Sequence, residues 1–329
     1  MSAKDTDWDG VRLHVVTGKG GTGKTTVAAA LALALAAGGK KVLLVEVEGR
    51  QGIAQLFDVP PLPYEERKVA VAPGGGEVFA LAIDTEEALI EYLEMFYNLK
   101  RAGKALTKLG VIDFVTTIAP GLRDVILTGK VSESVRRKEK NGRLIYDAVV
   151  MDAPPTGRIT KFLNVSDEVS TLAKVGPVRN HGDLVMGVIR SPQTAVHFVT
   201  LLEEMPVQET LDGLHDLRET GVPLGSVIVN MERPSLLTEA DLAAATAGEL
   251  DLDEITQGLK AAGLDQHAAE YAAILAVEAG EHAQRTALEQ REKARLEHLP
   301  RYDLPFLSDG MDRAGLYELA EALRDQGAA

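Results

Sequence analysis

The chain contains no cysteine, and this absence excludes disulfide bonds, zinc sites built on cysteine and thiol redox chemistry. Its seven histidines show no H-x-x-x-H or comparable spacing, so we expect no structural metal site. The longest apolar run, residues 27–37, is shorter than the roughly 20 residues that cross a bilayer. The first ten residues are polar and lack the segments of a signal peptide. We therefore expect a cytoplasmic protein whose contact with a membrane, if any, is peripheral and transient.

An excess of positive charge is also missing. The chain has 35 Lys and Arg against 49 Asp and Glu, which gives a formal net charge of −14 at pH 7. General nucleic-acid binding needs a basic face, so we expect no nucleic-acid partner. With 329 residues, 45% of them hydrophobic, the chain is long enough for a sizeable core and for one or two domains.

The most informative segment that is present is the loop Gly18-Lys19-Gly20-Gly21-Thr22-Gly23-Lys24-Thr25-Thr26. It lies between an apolar run at 11–16, which predicts a strand, and one at 27–35, which predicts a helix. Glycines let the backbone turn tightly and point its N–H groups at a phosphate. In a G-x-x-x-x-G-K-[ST] loop the lysine reaches the β- and γ-phosphates and the next hydroxyl ligates Mg²⁺. The predicted nucleotide-binding residues are Gly18, Gly20, Gly21, Thr22, Gly23, Lys24, Thr25 and Thr26.

The same loop also fits the dinucleotide-binding pattern G-x-G-x-x-G, and Glu46 and Glu48 lie where a ribose-binding acid would follow it. A dinucleotide site does not require Lys24 and the threonines after it. It also does not explain Asp152, which ends another apolar run, whereas a P-loop site uses such an acid to hold Mg²⁺ through water. The residues therefore favour nucleotide hydrolysis with Mg²⁺ over dinucleotide redox chemistry.

Apolar runs alternate with helical patterns along the chain, which predicts an α/β fold with a doubly wound, mostly parallel sheet. The predicted strands lie near 11–17, 41–47, 78–83, 146–152, 195–201, 224–230 and 304–308. Ligands of such sheets bind beyond the carboxyl ends of the strands. Gly18, Glu48, Asp152 and Asn230 follow four of these ends, so we expect them to meet at one edge.

Two stretches interrupt the alternation and predict a second unit. We assign residues 1–84, 141–160 and 193–329 to a P-loop ATPase domain, and residues 85–140 and 161–192 to an inserted helical subdomain. Apolar residues crowd the stretch 89–115, which is compatible with a groove for an apolar client helix or with the core of the insert itself. A third helical region, 238–299, ends in a charged and solvated helix, and a last helix covers about 312–325.

Two motifs together resemble one ATPase family. The loop with its extra lysine, Lys19, is similar to a deviant P-loop, and Asp152-Ala153-Pro154-Pro155-Thr156-Gly157 resembles the D-x-A-P-T-G switch of the arsenite-pump ATPase (ArsA) family. This family includes the eukaryotic ATPase that delivers tail-anchored membrane proteins. Weaker likenesses are the strand end at 227–230, the segment 299–305 and the pair Pro120-Gly121. The resemblance covers roughly residues 11–325.

The resemblance implies a dimeric, Mg²⁺-dependent ATPase and assigns roles to residues. Lys24 would neutralise phosphate charge, Glu48 would position the attacking water, and Lys19 would reach the nucleotide of the neighbouring subunit. Thr25 would ligate Mg²⁺, Asp152 would hold it through water, and Thr26 would bind the α-phosphate. The adenine would be bound by Asn230, Pro300 and Arg301. The residues expected to switch on hydrolysis are Glu48, Gly49, Arg50, Pro154, Pro155, Thr156 and Gly157.

The chain also departs from the family pattern. Members typically carry D-P-A-H after the second strand, where this chain has Glu48-Gly49-Arg50-Gln51. The extra methylene of Glu48 shifts a carboxylate whose position matters at the ångström level, so slow or partner-gated hydrolysis is expected. Without cysteine the chain has neither the zinc clamp that joins subunits of the tail-anchored-protein ATPase nor a cysteine site for arsenite.

Three functions remain compatible with these observations. The first is a nucleotide-switched dimer, of two identical subunits or of paralogues, that binds or delivers a client protein with a hydrophobic segment. The second is the energising ATPase subunit of a membrane transporter. The third is a positioning ATPase of the division or partition type, which shares the deviant loop but which no basic patch or terminal amphipathic helix supports.

Overall fold

The computed structural model describes residues 8–97, 120–164 and 177–329, and a mixed sheet of eight strands organises them. The strands are β1 Leu13–Gly18, β2 Lys41–Glu46, β3 Arg67–Val71, β4 Glu77–Ala82, β5 Ala148–Asp152, β6 Thr194–Thr200, β7 Leu224–Glu232 and β8 Arg301–Pro305. Their order in the sheet is β3-β4-β2-β5-β1-β6-β7-β8, and every neighbouring pair is parallel except β3 and β4. The predicted doubly wound α/β fold is therefore confirmed.

Eleven helices lie within the described residues. They are α1 Lys24–Ala36, α2 Gly52–Leu56, α3 Thr85–Tyr97, α4 Pro120–Arg136, α5 Thr156–Leu163, α6 Pro177–Ile189, α7 Glu204–Glu219, α8 Glu239–Ala247, α9 Leu252–Ala261, α10 Ala268–Ala294 and α11 Arg313–Asp325. Helices α1, α2 and α11 cover one face of the sheet, and α3 to α7 cover the other. The remaining three, α8 to α10, pack chiefly on one another.

The two faces of the sheet carry separate cores because successive strand residues point to opposite sides. On the first face, α1 is apolar all round and buries every residue from Val27 to Ala36 against the sheet and α11. A helix without a polar face is stable only when it is covered on most sides. This central position of α1 holds the loop before it at the middle of the sheet edge.

The other face buries part of the segment for which we predicted a separate helical insert. Leu89 of α3, Val125 of α4 and Val185 of α6 share one core with strand residues such as Val15 and Val149. These described helices thus pack directly on the sheet. Most of the apolar stretch 89–115 and the segment 165–176 lie outside the described residues, so the division into two units and the client groove stay predictions.

Two strand predictions need correction. The antiparallel edge strand β3 was not predicted, because its short and half-exposed sequence, RKVAV, is stabilised by pairing with β4 rather than by a local pattern. The last strand was predicted at 304–308 and is found at Arg301–Pro305. The polar residue Asp303 interrupts the apolar pattern by which a strand is predicted. In the structure its backbone N–H and carbonyl oxygen pair with the side-chain amide of Gln326, at 2.9 and 2.7 Å.

Two histidines far apart in sequence form a buried pair between β1 and β6. Nδ1 of His14 lies 3.1 Å from Nε2 of His197, and Trp8 stacks on both rings. The backbone N–H of Ser226 donates to Nδ1 of His197 at 3.2 Å, so a neutral His197 carries its proton on Nε2 and donates it to His14. Burial lowers the pKa of His197 to about 3 and that of His14 well below its usual value. The pair is therefore neutral in the folded protein.

This neutral pair should make stability depend on pH. An unfolded histidine takes up a proton near pH 6.5, whereas folded His197 stays neutral down to about pH 3. The unfolded state thus binds more protons as pH falls below 6.5, and the free energy of unfolding should drop by up to about 1.4 kcal/mol per pH unit for each histidine. Urea unfolding at pH 7 and pH 5 measures the loss. The control is His215→Gln, which changes an exposed histidine and should show the same loss as the parent chain. A parent chain with the same free energy of unfolding at pH 7 and pH 5 would contradict the prediction.

Candidate active site

The glycine-rich loop leaves β1 at Gly18 and enters α1 at Lys24. Gly23 is the N-cap of α1 and has a left-handed backbone with φ of 84°. A Cβ at Gly23 would lie 2.4 Å from the side-chain nitrogen of Asn230, so this close approach of β7 to the loop requires glycine. The first turn of α1 carries no acidic residue and its N-cap makes no side-chain hydrogen bond, which leaves the helix N–H groups for an anion.

The Gly23→Ala variant should therefore be unstable. The added methyl group meets Asn230 and forces a left-handed conformation, so we expect a loss of about 1–3 kcal/mol in the free energy of unfolding. Chemical denaturation measures this loss. Gly20→Ala is the matched control, because a Cβ at Gly20 has no heavy atom within 4 Å and its stability should stay near that of the parent protein. Equal stability of the two variants would show that the Gly23–Asn230 contact does not constrain the loop.

Thr25 and Asp152 meet where the carboxyl ends of β1 and β5 adjoin. The register pairs Val16 with Asp152, and the Thr25 hydroxyl donates to Oδ2 of Asp152 at 2.7 Å. Burial raises the pKa of Asp152 to about 6, against the lowering effects of the Thr25 hydrogen bond and of Lys24, while Glu46 and Glu48 add to the rise. A hydroxyl beside a buried carboxylate that lacks full charge compensation is a suitable oxygen site for Mg²⁺.

Lys24 lies at the first position of α1 and its side chain is directed back over the loop. Its Nζ is 3.5 Å from the carbonyl oxygen of Lys19. Burial lowers the pKa of Lys24, while the nearby carboxylates of Asp152 and Glu48 raise it. The structure therefore brings Lys24, Asp152 and Glu48 close enough to interact electrostatically.

Glu48 lies in the loop after β2 and contacts two arginines. Its carboxylate is 3.4 Å from Arg50 and 3.9 Å from Arg158, and the other side of the Arg158 guanidinium is 3.7 Å from Asp124 of α4. Arg158 thus bridges the loop after β2 to a helix on the second face. Sequence reasoning did not give Arg158 a role, although it directly follows the predicted switch residue Gly157.

The loop after β2 is held by Glu46, which sequence reasoning considered only as a ribose-binding acid of the rejected dinucleotide site. Glu46 is buried, and its carboxylate accepts hydrogen bonds from the backbone N–H groups of Gln51 and Ile53. The Gln51 side chain in turn bonds both backbone groups of Leu62, at 2.7 and 3.0 Å. These contacts fix both ends of the segment that contains Gly49 and Arg50. The signal was an acid inside an apolar strand, which needs hydrogen-bond partners when it is buried.

The other predicted switch residues lie close to the loop as well. The hydroxyl of Thr17 on β1 donates to the carbonyl oxygen of Pro154 at 2.7 Å. Pro155 is the N-cap of α5, which begins with the buried Thr156 and the exposed Gly157. Helix α5 therefore starts next to a segment that is hydrogen-bonded to the strand before the phosphate loop.

Lys19 forms an ion pair within its own chain. Its Nζ is 2.6 Å from Oε1 of Glu209 on α7, and both side chains are about one-third exposed (30% and 37%). Sequence reasoning predicted a lysine directed to another subunit and did not identify Glu209. The pairing depends on the position of α7 and carries no local sequence signal.

The structure brings Asn230 to the phosphate loop. The amide nitrogen of Asn230 donates to the carbonyl oxygen of Thr22 at 2.9 Å. Pro300 and Arg301 lie at the amino end of β8, where Arg301 pairs with Val227 in the sheet. Val227 lies three residues before Asn230 on β7, and our placement of Pro300 and Arg301 at the adenine pocket stays a prediction.

The arrangement can bind a nucleoside triphosphate. The N–H groups of the helix start, a half-buried lysine, a hydroxyl and two carboxylates lie at one sheet edge, and such a set can neutralise charge on phosphate oxygens and position a water. The fold and this site define a P-loop ATPase of the doubly wound α/β class. A family model described as anion-transporting ATPase matches residues 11–192. The chain belongs to this family, the ArsA ATPases, and hydrolyses ATP.

Curated relatives agree with the assignment. ATPase BagA of Mycobacterium tuberculosis is 57% identical over 320 residues, which cover 97% of the chain and 94% of that protein. The arsenical pump-driving ATPase of Acidiphilium multivorum is 26% identical over 251 residues, 70% of the chain and 41% of that protein. ATPase GET3 of Kluyveromyces lactis is 27% identical over 179 residues, half of each chain. Among the described residues, no helix is long and apolar enough to cross a membrane.

Proposed function

We propose that this ATPase is Mg²⁺-dependent, works as a nucleotide-switched dimer and couples hydrolysis to the binding or delivery of a client protein. The observation that supports the proposal most directly is the convergence of Lys24, Glu48 and the Thr25–Asp152 pair at one sheet edge. In this proposal ATP is hydrolysed at this edge, and the client protein binds to the helices on the second face of the sheet.

Thr25 and Asp152 would hold the metal ion, Thr25 directly and Asp152 through water. Their hydrogen-bonded oxygens and the raised pKa of Asp152 fit a divalent cation. When bound, Mg²⁺ neutralises charge that develops on the β- and γ-phosphate oxygens.

The chain's own residues would supply the remaining chemistry. N–H groups of residues 20–25 would bind phosphate oxygens, Lys24 would offset charge at the β–γ bridge, and Glu48 would orient the attacking water. At the other end of the nucleotide, the amide nitrogen of Asn230 is already bonded to the loop. Its carbonyl oxygen would accept from the exocyclic amine of adenine.

Arg158 supports the switch part of the proposal. It contacts Glu48 on one side and Asp124 of α4 on the other, so it connects the γ-phosphate side of the site with a helix that covers the sheet. Loss of the γ-phosphate would release the loop of Glu48 and the segment 154–157 together. Movement of α4 and α5 would then change the surface that the predicted insert offers to a client.

A second candidate is the energising subunit of a membrane transporter. It is favoured by the description of the family model as anion-transporting and by the relative named arsenical pump-driving ATPase. The solute would not be bound through cysteine, since the chain has none. Affinity capture with a Glu48→Gln variant separates the candidates: a polytopic membrane protein supports the transporter, and a soluble or membrane-inserting client supports delivery.

A subunit-mixing experiment tests the dimer. If Lys19 acts on the partner's nucleotide, it must leave Glu209, and its loss in one subunit affects hydrolysis in the other. We expect Lys19→Ala and Lys24→Ala preparations to be nearly inactive alone. In the mixed dimer, the subunit with intact Lys24 would receive an intact Lys19 from its partner, so activity should reappear on mixing. Phosphate release over a range of mixing ratios measures it.

The matched control is a mixture of Lys24→Ala with Lys24→Ala/Lys19→Ala. This mixture contains no functional phosphate loop, so its rate should remain at background at every ratio. Rates that simply add in the first mixture would show that the two sites work independently and would refute the action of Lys19 in trans.

A further inference from the structure

Helices α8, α9 and α10 form an arm that buries few of its own residues. Helix α9 buries none, α8 buries only Ala245, and the 27 residues of α10 bury only Ala268, Ala272, Ala283 and Glu292. Helices of about ten residues, such as α8 and α9, depend on packing of an apolar face for their stability. The apolar faces of the arm are therefore incompletely covered within the described chain.

These faces converge on one groove. Its apolar lining comes from α9, α10, the segment before α8 and the turn between α8 and α9, and consists of Leu236, Leu237, Leu250, Ile255, Leu275 and Ala279. The groove has a volume of about 660 Å³, and Leu236 is 81% exposed at its edge. Ile274 and Val277 continue the apolar surface outside it, at 50% and 64% exposure. A continuous exposed apolar surface of this kind marks an interaction site.

The rim of the groove is acidic. Asp241, Glu278 and Glu281 line it, and Arg285 is the one Lys or Arg among the lining residues. His282 lines it too and accepts a hydrogen bond from the backbone N–H of Leu236. The surrounding segment 238–290 contains 11 Asp and Glu but only two Lys and Arg, a net charge of −9 out of −14 for the chain. The arm thus combines most of the protein's net negative charge with an apolar surface.

The charge decides which occupant fits. A second copy placed symmetrically on this face would bring the same negative charge against it, which is unfavourable when apolar contact removes the water between them. An amphipathic helix with Lys or Arg beside its apolar face would satisfy both surfaces. We propose that the groove of α8 to α10 docks a basic amphipathic helix of a partner protein.

The arm is firmly connected to the ATPase site. Near its end, Lys293 of α10 forms ion pairs with Glu232 of β7 and with Asp303 of β8. Glu232 lies two residues after Asn230, the residue that contacts the phosphate loop. A partner helix docked on α10 would therefore bind a helix whose end is attached to the strands beside the ATPase site. The residues of the groove lie outside that site, so the docking proposal does not depend on the proposed dimer or client.

A designed peptide is the probe. It has about 18 residues of leucine, lysine and alanine, with leucine at helical spacing i, i+3, i+4 and i+7 and lysine on both sides of that stripe. A scrambled peptide of the same composition lacks the apolar face. Binding of each labelled peptide to the full chain is measured by fluorescence anisotropy. The buffer contains roughly 0.15 M salt, which screens long-range electrostatic attraction. We expect the amphipathic peptide to bind at least about tenfold more tightly than the scrambled one.

Two double variants locate the binding. Glu278→Lys/Glu281→Lys changes the groove rim, and Glu318→Lys/Glu321→Lys changes exposed acids of α11 with the same spacing and the same change in net charge. All four side chains are exposed, so both variants should fold. We expect the first variant to weaken binding by about tenfold and the second by less than about twofold.

Several results would overturn the proposal. Equal weakening in both double variants would mean that the peptide senses only the overall charge. Equal binding of the two peptides would mean that the apolar groove is not used. A chain that sediments as a dimer, and that Leu236→Ser/Leu275→Ser converts to a monomer, would show that a second copy occupies the groove instead.

Discussion

Replacement of Lys24 by alanine should lower steady-state ATP hydrolysis by a factor on the order of 10²–10³. The Lys24 ammonium is half-buried, lies over the loop and is kept charged by Asp152 and Glu48 despite the burial that lowers its pKa. A fixed charge in such a place acts on the developing charge of the phosphates without reorganisation of solvent. Release of inorganic phosphate under saturating ATP and Mg²⁺ measures the effect.

The comparison for Lys24→Ala is Lys260→Ala, which removes an exposed lysine of α9. That variant should retain the parent rate, and both should unfold at similar denaturant concentrations. An unchanged rate in a folded Lys24→Ala protein would mean that ATP is hydrolysed at a site other than the glycine-rich loop.

Replacement of Glu48 by glutamine should separate binding from hydrolysis. We expect ATP to bind about as tightly as to the parent chain, while turnover falls by about 10²–10⁴-fold. The glutamine keeps the shape but loses the charge that orients water. Its ion pairs with Arg50 and Arg158 are 3.4 and 3.9 Å long and involve exposed guanidinium groups, so their loss should cost little stability. Equilibrium binding of a fluorescent ATP analogue and single-turnover hydrolysis measure the two effects.

Glu48→Asp is the informative control for this variant. It retains the carboxylate and removes one methylene, which gives the residue that the ArsA pattern carries at this position. If Glu48 positions the water, the aspartate variant should hydrolyse ATP far faster than the glutamine variant. Equal turnover of the parent and Glu48→Gln proteins would remove Glu48 from the mechanism.

Local patterns allowed much of the fold to be predicted. The strands β1, β2, β4, β5, β6 and β7 consist mostly of buried residues. Because helices cover both faces of these strands, their sequences are nearly continuous apolar runs, which can be recognised without a structure. The meeting of Asp152 and Asn230 with the loop followed from one general rule, the alignment of strand ends in a parallel sheet.

Predictions failed where a residue's role depends on a distant partner. Strand β3 exists through its pairing with β4, and β8 contains Asp303, which is held by Gln326 and Lys293. Nothing within a few residues of these positions signals such contacts.

The sequence by itself determined the chemistry of the phosphate loop and the α/β class of the fold. Glycine spacing, a lysine, a hydroxyl and the period of apolar residues act over one strand and one helix, and each is visible in a short window. The tertiary structure alone decided that Lys19 pairs with Glu209 and that Arg158 joins Glu48 to α4. It also decided that α8 to α10 surround an apolar groove with an acidic rim. These contacts join residues far apart in the chain, and only the packing of helices on the sheet places them within interaction distance.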